Sequence, residues 1–120
     1  MGQFTIAVYR PKPGKEADLL QVVKEHVPIL RQEGLATDRV AHVMRAKDGT
    51  IVEVFEWAST DAIAAAHKNP NVLVMWERFG QACELIKLDD LAETKAMFPG
   101  FEPIDFYTIV EIWSPRGDWI

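Results

Sequence analysis

Residues 39–57 read RVAHVMRAKDGTIVEVFEW, and the fold turns on them. Two runs rich in β-branched and apolar residues, Arg39–Lys47 and Thr50–Trp57, flank Asp48-Gly49. An Asp-Gly pair between such runs signals a two-residue type I′ hairpin loop. With that loop Lys47 faces Thr50, Arg45 faces Val52, Val43 faces Val54 and His42 faces Phe55. One face then carries Val40, His42, Met44, Ile51, Glu53, Phe55 and Trp57. The other carries Ala41, Val43, Arg45, Val52, Val54 and Glu56, with Arg45 and Glu56 diagonal and expected to pair if buried.

Upstream, Phe4–Arg10 alternates as a strand, with Phe4, Ile6 and Val8 on one side and Thr5, Ala7 and Tyr9 on the other. Pro11-Lys12-Pro13-Gly14 breaks it. Lys15–Glu33 has helical spacing: Leu19, Val23 and Leu30 stack, and Leu20, Val22, Val27 and Ile29 widen the stripe. At about 100° per residue His26 falls inside that apolar arc. Pro28 is expected to kink the helix, and Gly34 to stop it.

Downstream, Ser59 or Thr60 caps a short Ala-rich helix ending near His67. Asn69-Pro70 reads as an N-cap and N1 pair opening a helix with Val72, Met75, Trp76, Phe79 and Ala82 as its stripe. Cys83–Leu88 alternates as a strand. Asp90-Leu91-Ala92-Glu93 resembles a capping box opening a helix to about Phe98. Phe106–Trp113 reads as a last strand.

The element order predicts an α+β fold, a ferredoxin-like βαββαβ unit with an extra C-terminal helix and strand. One domain spans 1–120, with a core of about 3–88 and an extension of about 89–120. The helices of such a fold cover one sheet face, yet the strands are apolar on both. Two copies pairing their sheets as a dimeric α/β barrel resolve this, so a homodimer is expected. The extension's Trp113 and Trp119 are expected to pack across that dimer.

Composition narrows function. In 120 residues, 48% are hydrophobic and 26% charged, the formal net charge is −5 and no basic run occurs. This weighs against nucleic acid or an anionic membrane as partner. No apolar run approaches the ~18 residues of a membrane span, and the N-terminus lacks the pattern of a signal peptide. The lone Cys83 allows no intrachain disulfide, and a cytoplasmic location is expected. Twelve aromatics (6 Phe, 4 Trp, 2 Tyr) exceed the needs of one modest core and point to a pocket or a partner subunit.

The segment from Glu53 through Trp57, Ala62 and His67 to Pro70 resembles the antibiotic-biosynthesis-monooxygenase-like branch of the dimeric α/β-barrel superfamily. That branch ends its third strand in Trp and follows with an Ala-containing helix, a His, a small residue and Pro. The resemblance covers residues 3–88. It implies a small-molecule monooxygenase acting with O₂ on a small aromatic or quinone-like substrate, with no cofactor. The haem-degrading members' Asn, Trp and His fall on Ala7 or a neighbour, near His67 and near Glu77, so haem is not expected.

On this reading His26 and His67 are the candidate catalytic residues. Trp57, Phe55, His42, Glu53 and Trp76 are the candidate substrate-binding residues, with Phe79 beside Trp76 as a further wall. An imidazole in an apolar arc requires a polar partner, which is why His26 stands out. His26, His42, His67 and Glu53 would suit a divalent metal if they converged, although no close-spaced ligand motif supports that and no metal is expected. Two alternatives stay open: a non-catalytic dimeric binding protein for a small apolar ligand, and a His-liganded metal-dependent enzyme.

Overall fold

The computed structural model describes residues 2–106. Five strands form one antiparallel sheet in the order β4-β1-β3-β2-β5: β1 Gln3–Pro11, β2 His42–Arg45, β3 Ile51–Trp57, β4 Cys83–Leu85 and β5 Glu102–Pro103. Helix α1 (Glu16–Gln32) follows β1, and α2 (Thr60–Ala66) and α3 (Pro70–Ala82) follow β3. This is the expected ferredoxin-like α+β arrangement. No helix among the described residues is long and apolar enough to cross a membrane.

The local signals set the helix ends. Leu35 N–H bonds to Leu30 O and Gly34 N–H to Arg31 O, with Gly34 at φ 75°, which closes α1 in a Schellman motif. Leu30 and Leu35 are both buried, adding the hydrophobic contact such a cap favours. Pro28 is accommodated within α1, which continues to Gln32. The Ser59 hydroxyl accepts from Ala62 N–H to cap α2, and the Asn69 carbonyl accepts from Asn71 and Val72 N–H to cap α3.

Each sheet face has its own core. Toward the helices, Tyr9, Ile51, Phe55 and Trp57 pack under Leu19, Val23, Leu30, Val72, Met75 and Phe79. On the other face Val8, Ala46 and Val52 pack with Leu91. At the far end of that second face Phe4 and Ile6 are 59% and 51% exposed.

The hairpin departs from its expected register. Arg45 lies opposite Ile51, Val43 opposite Glu53 and His42 opposite Val54. Ala46 and Thr50 close a three-residue loop, Lys47-Asp48-Gly49. A type I′ turn needs positive φ at Asp48 as well as at Gly49, and only Gly49 has it. The Asp48 carboxylate instead accepts the Thr50 N–H at 2.8 Å, and that bond holds its pKa below the ordinary value. The slip turns His42 to the face away from the helices, opposite to Glu53, Phe55 and Trp57. It also separates Arg45 from Glu56: Arg45 pairs with Glu102 at 3.7 Å and Glu56 with Arg39 at 2.9 Å.

The extension also differs. Two short 3₁₀ turns, Leu88–Asp90 and Ala92–Lys95, stand where a helix from Asp90 to Phe98 was expected. The Asp90 carboxylate accepts from Lys87 N–H, capping the first of these turns as its N3 residue, and that of Glu93 accepts from Lys47 N–H, so the expected Asp90–Glu93 box does not form. The predicted strand from Phe106 to Trp113 and the packing of Trp113 and Trp119 fall outside the described residues, which end at Phe106.

Candidate functional site

Small side chains on one face of β1 leave room under the helices. Thr5, Ala7 and Tyr9 share the helix-facing side, and across β3 their partners are Phe55, Glu53 and Ile51. Above the gap left at Thr5 and Ala7 lies a cavity of about 370 Å³. Tyr9, Phe55 and Trp57 form its floor. His26 of α1, His67 at the end of α2, and Trp76 and Phe79 of α3 form its walls, and Cys83 and Leu85 its rim. Among the described residues no Asp, Glu, Lys or Arg lines it. The space therefore suits a neutral, apolar guest.

His26 is 4% exposed and sits between two phenyl rings, with ring centroids 5.2 Å from Phe55 and 5.0 Å from Phe79, both edge-on. Its polar partner is Glu53: Nδ1 lies 2.7 Å from Glu53 Oε1. The same oxygen accepts the Tyr9 hydroxyl at 2.8 Å. Glu53 is itself 1% exposed, and its Oε2 has no hydrogen-bond partner among the described residues. Burial, followed by the charge of Glu53 and the hydrogen bond to it, pushes the Tyr9 hydroxyl well above the usual tyrosine range. Tyr9 is therefore a donor at neutral pH, never a phenolate.

The remaining candidates divide. His67 is exposed at the mouth, its ring edge-on to Trp76 at 4.9 Å. Trp57 lies against Phe55 at 5.3 Å and Trp76 is half-buried. Five of the seven sequence candidates, His26, His67, Trp57, Phe55 and Trp76, thus line one cavity. Glu53 stands behind His26, not in the lining, and His42 is exposed on the opposite sheet face. The convergence of His26, His42, His67 and Glu53 does not occur. Among the described residues no group of three or more His, Cys, Asp and Glu side chains is placed to hold a metal ion.

Cys83 Sγ donates to Phe79 O at 3.2 Å, and burial pushes the thiol up to about 11. It stays a neutral thiol at physiological pH, a poor nucleophile. Tyr9 was the residue not singled out from the sequence. Its available signal was two small neighbours, Thr5 and Ala7, preceding a large polar-tipped ring on one strand face.

A second cavity, of about 360 Å³, lies along α1 toward β2. Glu53 lines it, with Lys24, Arg31, Asp38 and Asp105 among the other lining residues. The carboxyl that anchors His26 thus stands in the partition between an uncharged cavity and a charged one.

Compared with known proteins, residues 3–78 match the family model described as antibiotic biosynthesis monooxygenase. Neither the curated proteins nor the solved structures gave a match to this chain. The matched span runs from β1 into α3. It contains Tyr9, His26, Glu53, Trp57, His67 and Trp76, and stops just before Phe79.

Proposed function

Because this chain belongs to the antibiotic biosynthesis monooxygenase family, we propose that it is a small-molecule monooxygenase acting on a small aromatic or quinone-like substrate. The observation that carries the reading is the pairing of an uncharged 370 Å³ cavity with a buried imidazole anchored by Nδ1 on Glu53. A phenolic substrate fits the lining by shape and stacks against Trp57 and Trp76. His26, through Nε2, takes the phenolic proton as general base. The electron pair stays on the substrate oxygen, and in a dry cavity the resulting anion is an effective one-electron donor to O₂. In balance, one oxygen atom enters the ring as a carbonyl in place of two hydrogens. The other leaves with those hydrogens as water, so no resident metal or flavin is invoked.

His67, edge-on to Trp76 at the mouth, orients the entering substrate and serves as a second proton-handling group. Two copies complete the protein, meeting through the sheet face on which Phe4 and Ile6 are exposed. Apolar side chains this open on a strand face support such a contact. Sedimentation equilibrium of the chain and of a Phe4→Lys/Ile6→Lys variant tests the pairing: a dimer reduced to monomer is expected, and a wild-type monomer would refute it.

O₂ uptake with a panel of quinols and naphthols tests the chemistry. His26→Ala is expected to lower turnover by roughly 10²–10⁴-fold, the usual worth of a positioned general base. Unchanged turnover in that variant rejects His26 as the base. If native mass spectrometry finds a retained ligand while no O₂ is consumed with any of the panel, the protein is a binding protein and the monooxygenase reading fails.

A further inference from the structure

We propose that Glu53 is a positioning residue that fixes His26 as the Nδ1–H tautomer and keeps Nε2 as the ring's basic atom toward the cavity. The inference rests on the reading of His26 as the base. Its geometry, however, can be tested without turnover.

The tautomer follows from who can donate. Glu53 Oε1 lies 2.7 Å from His26 Nδ1 and 2.8 Å from the Tyr9 hydroxyl oxygen. The hydroxyl has one proton and places it on Oε1. An ionised carboxylate oxygen only accepts, so with Glu53 as the carboxylate the short contact to Nδ1 places the proton on the nitrogen. That leaves the lone pair on Nε2. His26 lines the uncharged cavity, whereas Glu53 is outside its lining, so the ring presents its basic nitrogen to the guest and its N–H to the carboxylate.

The surroundings of Glu53 favour the charge that the base must acquire. When a substrate O–H bond breaks and an Nε2–H bond forms, the imidazolium sits against a carboxylate at 2.7 Å, and the electron pair remains on the substrate oxygen. Glu53 takes no proton in this step. Its other oxygen is buried without a hydrogen-bond partner among the described residues, so the hydrogen bonds described for the carboxylate are those with His26 and Tyr9. Among the described residues the ionisable groups around this centre include His67 at the end of α2, Tyr9 from β1, Glu53 from β3 and Cys83 at the start of β4. Cys83 is a neutral thiol. Glu53 also lines the second cavity, where Lys24 and Arg31 stand with Asp38 and Asp105.

Histidine-selective ¹⁵N NMR of the whole chain at neutral pH reads the tautomer directly. The expected result is a protonated Nδ1 and an unprotonated Nε2 on His26, retained in Tyr9→Phe and lost or mixed in Glu53→Gln, whose amide can donate to the ring instead. An Nε2–H tautomer in the wild-type protein would overturn the proposal, whether or not Glu53→Gln folds. So would an unchanged His26 spectrum in a folded Glu53→Gln.

Absorbance of bound 2-naphthol separates this inference from the one beneath it. The wild-type protein should red-shift the probe to its naphtholate, and Glu53→Gln should bind it with less than a tenth of the ionised fraction. Binding without ionisation in the wild type refutes His26 as the base. Full ionisation in Glu53→Gln refutes only the role of Glu53.

Discussion

Two cavities of nearly equal volume, about 370 and 360 Å³, lie against α1, and they differ in what they ask of a guest. Among the described residues the first is lined by no Asp, Glu, Lys or Arg. The second is touched by Lys24, Arg31, Asp38 and Asp105. An apolar molecule entering the second must share space with hydrated ions, and stripping that water is costly. Entering the first, it displaces only loosely held water from rings and methyls. Size therefore does not identify the site. The placement of charge separates the two, and Glu53 marks the division: it sends one oxygen to the His26 ring that lines the first cavity and itself lines the second.

The sharpest way to break this division is to put a charge into the uncharged cavity. Ala7 lines it and lies directly opposite Glu53 in the β1–β3 register. An Ala7→Asp substitution sets a second carboxyl beside a buried one. Burial and the like charge both raise the new group's pKa above its unfolded value near 3.9. Its native state then binds more protons than its unfolded state, so stability increases as pH falls. Denaturant unfolding should show a loss of about 3 kcal/mol at pH 7, shrinking progressively toward pH 4. A variant as stable as the wild type at pH 7 would mean that the first cavity solvates charge as readily as the second.

How much of this contrast was legible beforehand depends on the distance over which each signal acts. The position of His26 inside an apolar arc is a property of one helix, readable at about 100° per residue, and the structure buries it there. The caps at Ser59 and Asn69 act over three residues and appear as expected. Asp48-Gly49 shows the limit of such local rules. The pair marks a turn, but the choice between two and three loop residues rests on whether Asp48 takes positive φ, and its carboxylate bonding to Thr50 N–H favours the longer loop. One residue of slip in β2 moved His42 to the other side of the sheet. The Glu53–His26 bond spans 27 residues and the Glu53–Tyr9 bond 44. Such contacts arise from packing a helix on a sheet, and no spacing rule encodes them. Asp90 and Glu93 failed as a capping box for a similar reason, since Glu93 finds a better donor at Lys47, far away in sequence.

The wall between α1 and α3 allows a smaller test, because adjacent positions there carry a buried contact and a surface one. His26 meets Phe79 inside, while next door Glu25 takes two bonds from Arg78 at 2.8 and 3.1 Å on the outside. The Arg78 bonds, with a further one from Gln21, hold the Glu25 carboxyl down at about 2 against an ordinary 4.5. A depressed acid stabilises the fold above its unfolded pKa and stops doing so as pH falls through the folded one. Both partners are more than a third exposed, so solvent screens the pair and Arg78→Ala should cost only about 0.5 kcal/mol at pH 7. That difference from the wild type should narrow below pH 4.5 and vanish near pH 2. A cost above about 2 kcal/mol would show that this outer pair, and not the buried rings, holds the cavity wall.

The smallest effect is expected at the second cavity, and it bears most directly on the division. Asp38 is exposed and lines that cavity and not the first. Asp38→Asn keeps its shape and removes its charge, so stability should stay within about 0.5 kcal/mol of the wild type. On the proposed mechanism quinol turnover should also be unchanged, because His26, the proposed base, and Glu53, its proposed positioning partner, keep their contacts. A turnover loss of ten-fold or more with normal stability would place the charged cavity inside the catalytic apparatus. Glu53 would then be a route by which protons pass between the cavities, not a fixed anchor at the back of one. The two outcomes differ in a single measurable rate, which makes this nearly silent substitution the most discriminating of the set.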